Sequence, residues 1–205
     1  DGATATENVT INYSGATKAT VALGTNELSA DYAATTKYST TVAGTGDVTI
    51  TGDDDMFNAK KIVSTSTGTV TVDVTSATDD ADYTQIAVDV LELSTTAAGA
   101  VEVDVNTNTI VNLDADHTAV ATINLVATTA SANAGTVRIN VSEDQTAAVT
   151  TGDEVGTVIL TATPDEVSDT LAGDDIDIAE LDTDTGGATA VIISGAESMT
   201  LTLWD

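Results

Sequence analysis

The chain of 205 residues has no cysteine, a single histidine and only six aromatic residues. The absence of cysteine excludes disulfide bonds, thiolate metal sites and cysteine nucleophiles. The one histidine, His117, excludes histidine-rich zinc sites and leaves a Ser–His catalytic arrangement a single candidate base. No apolar run approaches the roughly 18 residues that a membrane-spanning helix needs. We therefore expect no membrane span.

Basic residues are also scarce. Five Lys and Arg stand against 33 Asp and Glu, so the formal net charge is −28 at pH 7. Proteins that bind nucleic acids need clustered Lys and Arg to contact phosphates, so we expect no nucleic-acid partner. Such an acidic chain stays compact where cations or a saline medium offset its self-repulsion. This charge balance favours an extracellular, cell-surface protein.

The residues that are abundant, threonine and small aliphatic side chains, alternate with a period of two. Because successive side chains of a strand point to opposite faces, each such stretch has one apolar and one polar face. The pattern predicts an all-β protein. It is clearest in Val70–Val74, Val101–Val105, Ala121–Leu125, Val137–Val141 and Met199–Leu203.

Two short helical segments are expected within the loops. The first follows Asp53–Asp55 into residues 56–59. The second runs from Pro164 to Leu171, because Thr163 is a favourable cap, proline suits the first turn, and acidic residues follow it.

The fairly even spacing of the strands fits two architectures. The first is a β-solenoid of stacked strands, which the small aliphatic and threonine side chains favour; the alternative is one or two antiparallel β-sandwich domains. Residues 1–45 have fewer clean strands and are predicted to be a distinct N-terminal segment, either an assembly arm or a small β module. Residues 46–205 are predicted to form a β-rich, repeat-like domain that continues beyond 205 in the parent chain.

The stretch Ala188–Leu203, with the sequence ATAVIISGAESMTLTL, resembles a coil of bacterial surface-layer (S-layer) lattice proteins. Val90–Thr95 and Val70–Val74 are similar in character, and the resemblance extends over residues 46–205. It implies a β-solenoid that assembles with copies of itself. The chain departs from many such proteins because it lacks Gly-Gly-x-Gly-x-Asp repeats, so calcium coils of that type are not implied.

Acidic residues cluster in the predicted loops, and calcium is the cofactor that they suggest. Calcium takes roughly six to eight oxygen ligands, which closely spaced aspartates and loop carbonyls supply. The competing interpretation is a solvated acidic surface on which aspartate serves turn geometry. The candidate ligands are Asp53, Asp54 and Asp55; Asp79, Asp80 and Asp82; and Asp174, Asp175 and Asp177.

Three Asn-x-Ser/Thr sequons, at Asn8, Asn12 and Asn140, are weak candidates for glycosylation, since their number is near that expected by chance. The chain has no Gly-x-Ser-x-Gly elbow and no phosphate-binding loop. His117 is interpreted as a surface residue. We expect no enzyme.

These observations lead to three hypotheses for function. The first is a structural, self-assembling extracellular protein, an S-layer lattice subunit held by β modules and cation-bridged acidic loops. Its partners would be copies of itself and cell-surface glycan. The second is a pilus or fibre subunit that donates the alternating segment Glu7–Tyr13 to its neighbour. The third is an adhesin binding module that uses Tyr13, Tyr32, Tyr38 and Trp204.

Overall fold

The structure, a computed structural model, describes twelve ranges of the chain. These are residues 8–23, 39–78, 80–93, 102–106, 109–113, 122–126, 135–141, 145–150, 155–162, 176–182, 190–195 and 199–204.

The described residues contain eighteen strands and one short helix, α1 (Asp54–Phe57). The strands are β1 (Val9–Tyr13), β2 (Ala19–Ala22), β3 (Thr40–Gly44), β4 (Val48–Gly52), β5 (Ile62–Ser64), β6 (Val70–Val74), β7 (Ala81–Tyr83), β8 (Ile86–Ala87), β9 (Val90–Leu93), β10 (Glu102–Asn106), β11 (Ile110–Leu113), β12 (Thr122–Val126), β13 (Gly135–Val141), β14 (Gln145–Thr150), β15 (Val155–Ala162), β16 (Ile176–Asp182), β17 (Ala190–Gly195) and β18 (Met199–Trp204).

Every strand pairing among the described residues is parallel. Strands that follow one another in sequence do not pair. Instead, β2 pairs with β4, β4 with β6 and β6 with β9. From β9 every second strand is added up to β17, which gives a sheet of eight strands, ordered β2-β4-β6-β9-β11-β13-β15-β17. The intervening strands form three shorter sheets, ordered β1-β3-β5-β8, β7-β10-β12 and β14-β16-β18.

The fold-class prediction must be corrected on this point, although the all-β class is consistent with the structure. The antiparallel sandwich is wrong because no described pair is antiparallel. The predicted β-solenoid is also replaced, because the strands form four separate parallel sheets of four, three, eight and three strands. Period-two alternation identifies a strand, but it carries no information on which strand lies beside it or in which direction.

The parallel register places equivalent side chains on one another in columns, which explains the choice of small aliphatic residues. The inward column of the eight-stranded sheet is buried from β4 to β15 and ends at β2 and β17. Each buried member stabilises the fold by about 1.5–3 kcal/mol relative to an exposed position. The column consists of Val21, Ile50, Val72, Leu91, Val111, Ile139, Leu160 and Ile193.

The shorter sheets contribute to the same hydrophobic cluster. Val42 and Ile62 of the four-stranded sheet, with Val103 and Val105 of the β7-β10-β12 sheet, are fully buried in it. The core therefore lies between the eight-stranded sheet and the shorter sheets.

Strand pairing crosses the proposed boundary at residue 45, because β2 pairs with β4 and β3 pairs with β5. The division into residues 1–45 and 46–205 stays a prediction. The expected turn after Asp53–Asp55 is present as α1, whereas the expected helix at 164–171 lies outside the described residues. Within the described ranges, no helix has the length and hydropathy needed to cross a membrane.

The inward column makes a direct prediction for stability. Ile50→Ala, at a fully buried position, should lower the free energy of unfolding by about 2–5 kcal/mol, because it leaves a cavity between Val21 and Val72. Urea unfolding followed by circular dichroism measures this loss. The control, Thr20→Ala on the exposed face of β2, should change stability by less than about 0.5 kcal/mol. Equal losses of stability in the two variants would contradict the burial of Ile50 in the inward column.

Candidate functional site

A buried carboxylate, Asp54, organises the corner of the molecule between β4 and β5. It is the first residue of α1 and is only 5 % exposed, although its neighbours Asp53 and Asp55 are exposed. The helix takes this orientation because Met56 and Phe57 are buried in the core on the same short turn. A charged group buried in this way needs hydrogen-bond partners to offset its lost hydration.

Three side chains supply these partners. The Tyr83 hydroxyl donates to Asp54 Oδ1 at 2.5 Å, and the Thr78 hydroxyl donates to Oδ2 at 2.7 Å. The Asn58 amide also donates to Oδ2, at 3.3 Å. Since Tyr83 belongs to β7 and Thr78 to the preceding loop, one carboxylate connects α1 with the segment 78–83. We call Asp54, Asn58, Thr78 and Tyr83 the Asp54 network.

A second carboxylate, Asp82, extends these connections. Its backbone amide donates to Asn58 Oδ1 at 3.0 Å, and its carbonyl accepts from the Ala59 amide at 2.8 Å. Asp82 Oδ1 accepts from the amide and the hydroxyl of Thr84, at 2.9 and 2.6 Å. Asp82 therefore stabilises a turn, which is the role that aspartate side chains often have next to backbone amides.

Burial raises the pKa of Tyr83 far above its usual value, and its hydrogen bond to the Asp54 carboxylate, with the charge there, raises it further. Each effect disfavours the phenolate. Tyr83 consequently stays a proton donor to Asp54 over the whole neutral range. The Asp54 network thus positions two loops, and the oxygens of Asp54 are occupied by protein donors.

The first predicted calcium cluster is divided by this arrangement. Asp53 and Asp55 face solvent while Asp54 faces the core, so the three carboxylates do not converge. In the second cluster, Asp80 is exposed and Asp82 holds its turn, while Asp79 lies outside the described residues.

In the third predicted cluster, Asp177 lies on β16, and Asp174 and Asp175 fall outside the described residues. Across the described ranges, no group of three or more His, Asp or Glu side chains comes together as a metal site. Calcium binding at these clusters stays a prediction.

Other carboxylates of the turns accept hydrogen bonds from the adjoining turn. Asp47 Oδ1 accepts from the Thr69 amide, and Asp89 Oδ2 accepts from the Val70 amide, both at 2.8 Å. Each bond joins residues at the starts of two paired strands, β4 with β6 in the first case and β6 with β9 in the second. These aspartates therefore hold neighbouring turns together. They were not among the predicted site residues.

The outward face of the eight-stranded sheet carries a polar column beside the buried one. Asp73 lies opposite Glu92 on the neighbouring strand, and the Thr51 hydroxyl donates to Asp73. Arg138 is exposed in the adjacent column. The polar column consists of Thr51, Asp73, Glu92, Asn112, Asn140, Thr161 and Ser194.

The predicted glycosylation positions lie in three different settings. Asn8 is exposed, and its Oδ1 accepts from the Ser39 amide at 3.0 Å. Asn12 is exposed on β1, and Asn140 is half-buried in the polar column. Their use as glycosylation sites stays a prediction.

The aromatic residues and His117 are also placed in part. Tyr13 is half-buried on β1, the strand that contains most of the predicted donor segment, and β1 pairs with β3 of its own chain. Trp204 lies on β18, whereas His117, Tyr32 and Tyr38 fall outside the described residues.

No family model matches the chain, and neither a curated protein nor a solved structure matches it. The likeness to S-layer proteins therefore stays a prediction from the sequence.

The Asp54 network predicts a specific loss when its buried donor is removed. Tyr83→Phe should lower the free energy of unfolding at pH 7 by about 1–3 kcal/mol, because Asp54 loses a hydrogen bond in a buried setting. Chemical unfolding followed by circular dichroism measures it. The control is Tyr13→Phe, whose hydroxyl donates to the Thr17 carbonyl near solvent. A loss as large in the control would contradict the special role of Tyr83.

The raised pKa of Tyr83 also predicts a pH dependence. The unfolded chain releases the phenolic proton near its ordinary pKa of about 10, while the folded chain retains it. The stability that Tyr83 contributes is therefore fully present below pH 10 and falls as the pH rises above that value. The free energy of unfolding, measured from pH 8 to pH 11, should fall less steeply with pH for Tyr83→Phe than for the parent protein. Parallel curves would contradict the assignment.

Proposed function

We propose that this chain is a structural, self-assembling extracellular protein, the subunit of a surface-layer lattice. The observation that carries the proposal is the eight-stranded parallel sheet, whose inward column is continuous and whose two edge strands each pair with a described strand on one side only. Such a sheet is a rigid element with interaction surfaces at its ends and on its polar face.

Rigidity follows from the packing. The inward column from Ile50 to Leu160 is at most 1 % exposed, and close-packed interiors resist deformation. Carboxylates such as Asp47 and Asp89 join successive turns, so the loops are also held. A lattice subunit needs this property, because the geometry of each copy sets the spacing of the whole assembly.

Bridging between copies is the role proposed for cations. Asp53, Asp55 and Asp80 are exposed on the two loops that the Asp54 network joins, while their inward neighbour Asp54 is occupied. Carboxylates that face outward from one copy provide part of a calcium shell, and a second copy provides further oxygens. Bridging of this kind also offsets the repulsion between chains of charge −28. Cell-surface glycan is the further partner proposed for the outer face.

The two other hypotheses receive less support. A donated strand would have to leave its place in its own sheet, where β1 pairs with β3 over five residues. An adhesin needs exposed aromatic side chains, yet Tyr13, the candidate whose side chain the structure describes, is half-buried and its hydroxyl donates to the Thr17 carbonyl.

The proposal predicts assembly that depends on divalent cations. Purified protein in calcium should form ordered sheets or fibres in electron micrographs, and a chelator at constant ionic strength should disperse them. The double variant Asp53→Asn, Asp55→Asn should leave at least about tenfold less protein in the pellet after centrifugation, because it removes bridging carboxylates.

The control for this experiment carries the same charge change elsewhere. Asp1→Asn with Glu7→Gln lies outside the predicted clusters and should assemble like the parent. Monomers under all conditions would overturn the proposed function. Assembly that sodium chloride promotes as well as calcium would overturn cation bridging and leave self-assembly standing.

A further inference from the structure

The eight-stranded sheet ends in an apolar edge. Ile192 and Ile193 of β17 are 50 % and 52 % exposed, and they are the large hydrophobic residues that stand out as exposed in the described part of the chain. Ile193 continues the inward column directly after Leu160, which is 1 % exposed. Among the residues that the structure describes, β17 is the last strand of this column.

The opposite end of the sheet is similar. Val21 of β2 ends the same column and is only partly buried against the core. On the facing sheet, Ile11 and Tyr13 of β1 are also partly buried. Val21 and Ile193 therefore present aliphatic side chains at the two ends of a column that is buried between them.

Neither edge carries a charge that blocks pairing. The sequences of β17, AVIISG, and of β2, ATVA, contain no charged residue. Exposed edge strands of natural proteins are usually protected by charged side chains, proline or bulges, because an open edge pairs readily with another strand. The lack of a charge on either strand is notable in a chain with 38 charged residues, 33 acidic and 5 basic.

We propose that copies of this chain associate head to tail, with β2 of one copy added in parallel to β17 of the next. This inference rests on the proposed self-assembling function and assigns its contact. In the register of the sheet, Val21 of one copy would lie over Ile193 of the other, and Thr20 over Ile192. The same step brings β1 next to β18, since these strands are edges of the shorter sheets. A single contact between copies would therefore extend both the eight-stranded sheet and the shorter sheets on the other side of the core.

The direction follows from the parallel pairing and the charge. All described strands are parallel, so a copy added in the same orientation continues the sheet, while an inverted copy would need antiparallel pairs. Residues 163–205 contain eleven Asp and Glu and no Lys or Arg, whereas residues 1–45 contain four Asp and Glu and two Lys. Contact between two C-terminal ends would oppose like charges; head-to-tail contact avoids this. Heterologous contacts of this kind produce open filaments where the rotation between copies does not close a ring.

Cysteine cross-linking tests the register, because the chain has no cysteine of its own. Thr20→Cys and Ile192→Cys, both at exposed positions, would place two thiols on neighbouring strands of different copies. Mild oxidation or a short thiol cross-linker should give a ladder of dimers, trimers and larger species on non-reducing gels. The control pair, Thr10→Cys with Ile192→Cys, puts its thiols on different sheets. It should give only the monomer band on the same gels, because no cross-link joins the copies.

A substitution at the apolar edge tests the energetics. Ile193→Lys places a charge where the next layer would bury an aliphatic side chain, and sedimentation should show association at least about tenfold weaker. Asn112→Lys adds a lysine to the polar column on the interior strand β11, away from both edges, and should associate like the parent. Circular dichroism verifies that both variants are folded.

The outcomes separate this contact from the proposed function. A cross-linked ladder together with weaker association of Ile193→Lys supports head-to-tail pairing. Ordered assemblies of the parent protein without the ladder, or with full assembly of Ile193→Lys, overturn this contact and leave the proposed function standing. A parent protein that stays monomeric at all concentrations overturns both.

Discussion

In-register parallel pairing is the constraint on which the rest of the structure depends. It places each side chain directly over its equivalent on the next strand, about 4.8 Å away. An inward position must therefore suit its own neighbours in size and shape, as the sequence Ile50, Val72, Leu91 and Val111 shows. Large rings do not repeat well in such a column. The aromatic residues that are fully buried, Phe57 and Tyr83, lie at the corner where α1 and its loop interrupt the regular stacking.

In-register pairing also determines where acidic side chains are tolerated. Parallel stacking brings like carboxylates together whenever acidic residues occupy equivalent positions, as with Asp73 opposite Glu92, and such pairs are unfavourable. The chain limits this effect by placing carboxylates in turns, where Asp47 and Asp89 accept backbone amides of the adjoining turn. An acidic composition is thus compatible with stacked strands, because part of the charge is used to satisfy backbone donors.

Local sequence patterns account for the strands but for little of their arrangement. The alternation in Val70–Val74 and Val137–Val141 identifies β6 and β13 correctly, since one face of each is buried. The same alternation is compatible with parallel or antiparallel neighbours, so the predicted architecture needed correction. Asp54 shows a second limit. Within its Asp triplet it resembles a surface residue, and two of the hydrogen-bond donors that make its burial possible, Thr78 and Tyr83, lie 24 and 29 positions later.

A parallel sheet differs from an antiparallel one in having two unlike ends, and this difference links the fold to assembly. The polar column and the acidic loops make the sides of the molecule unsuitable for unspecific pairing, because carboxylates repel one another there. The edges β2 and β17 have no such protection and share one aliphatic column. In the assembly that we propose, growth would therefore follow a single direction, the direction in which the sheet is already built. Lateral contacts between rows would then depend on cations at the exposed carboxylates, so the two kinds of contact would respond differently to a chelator.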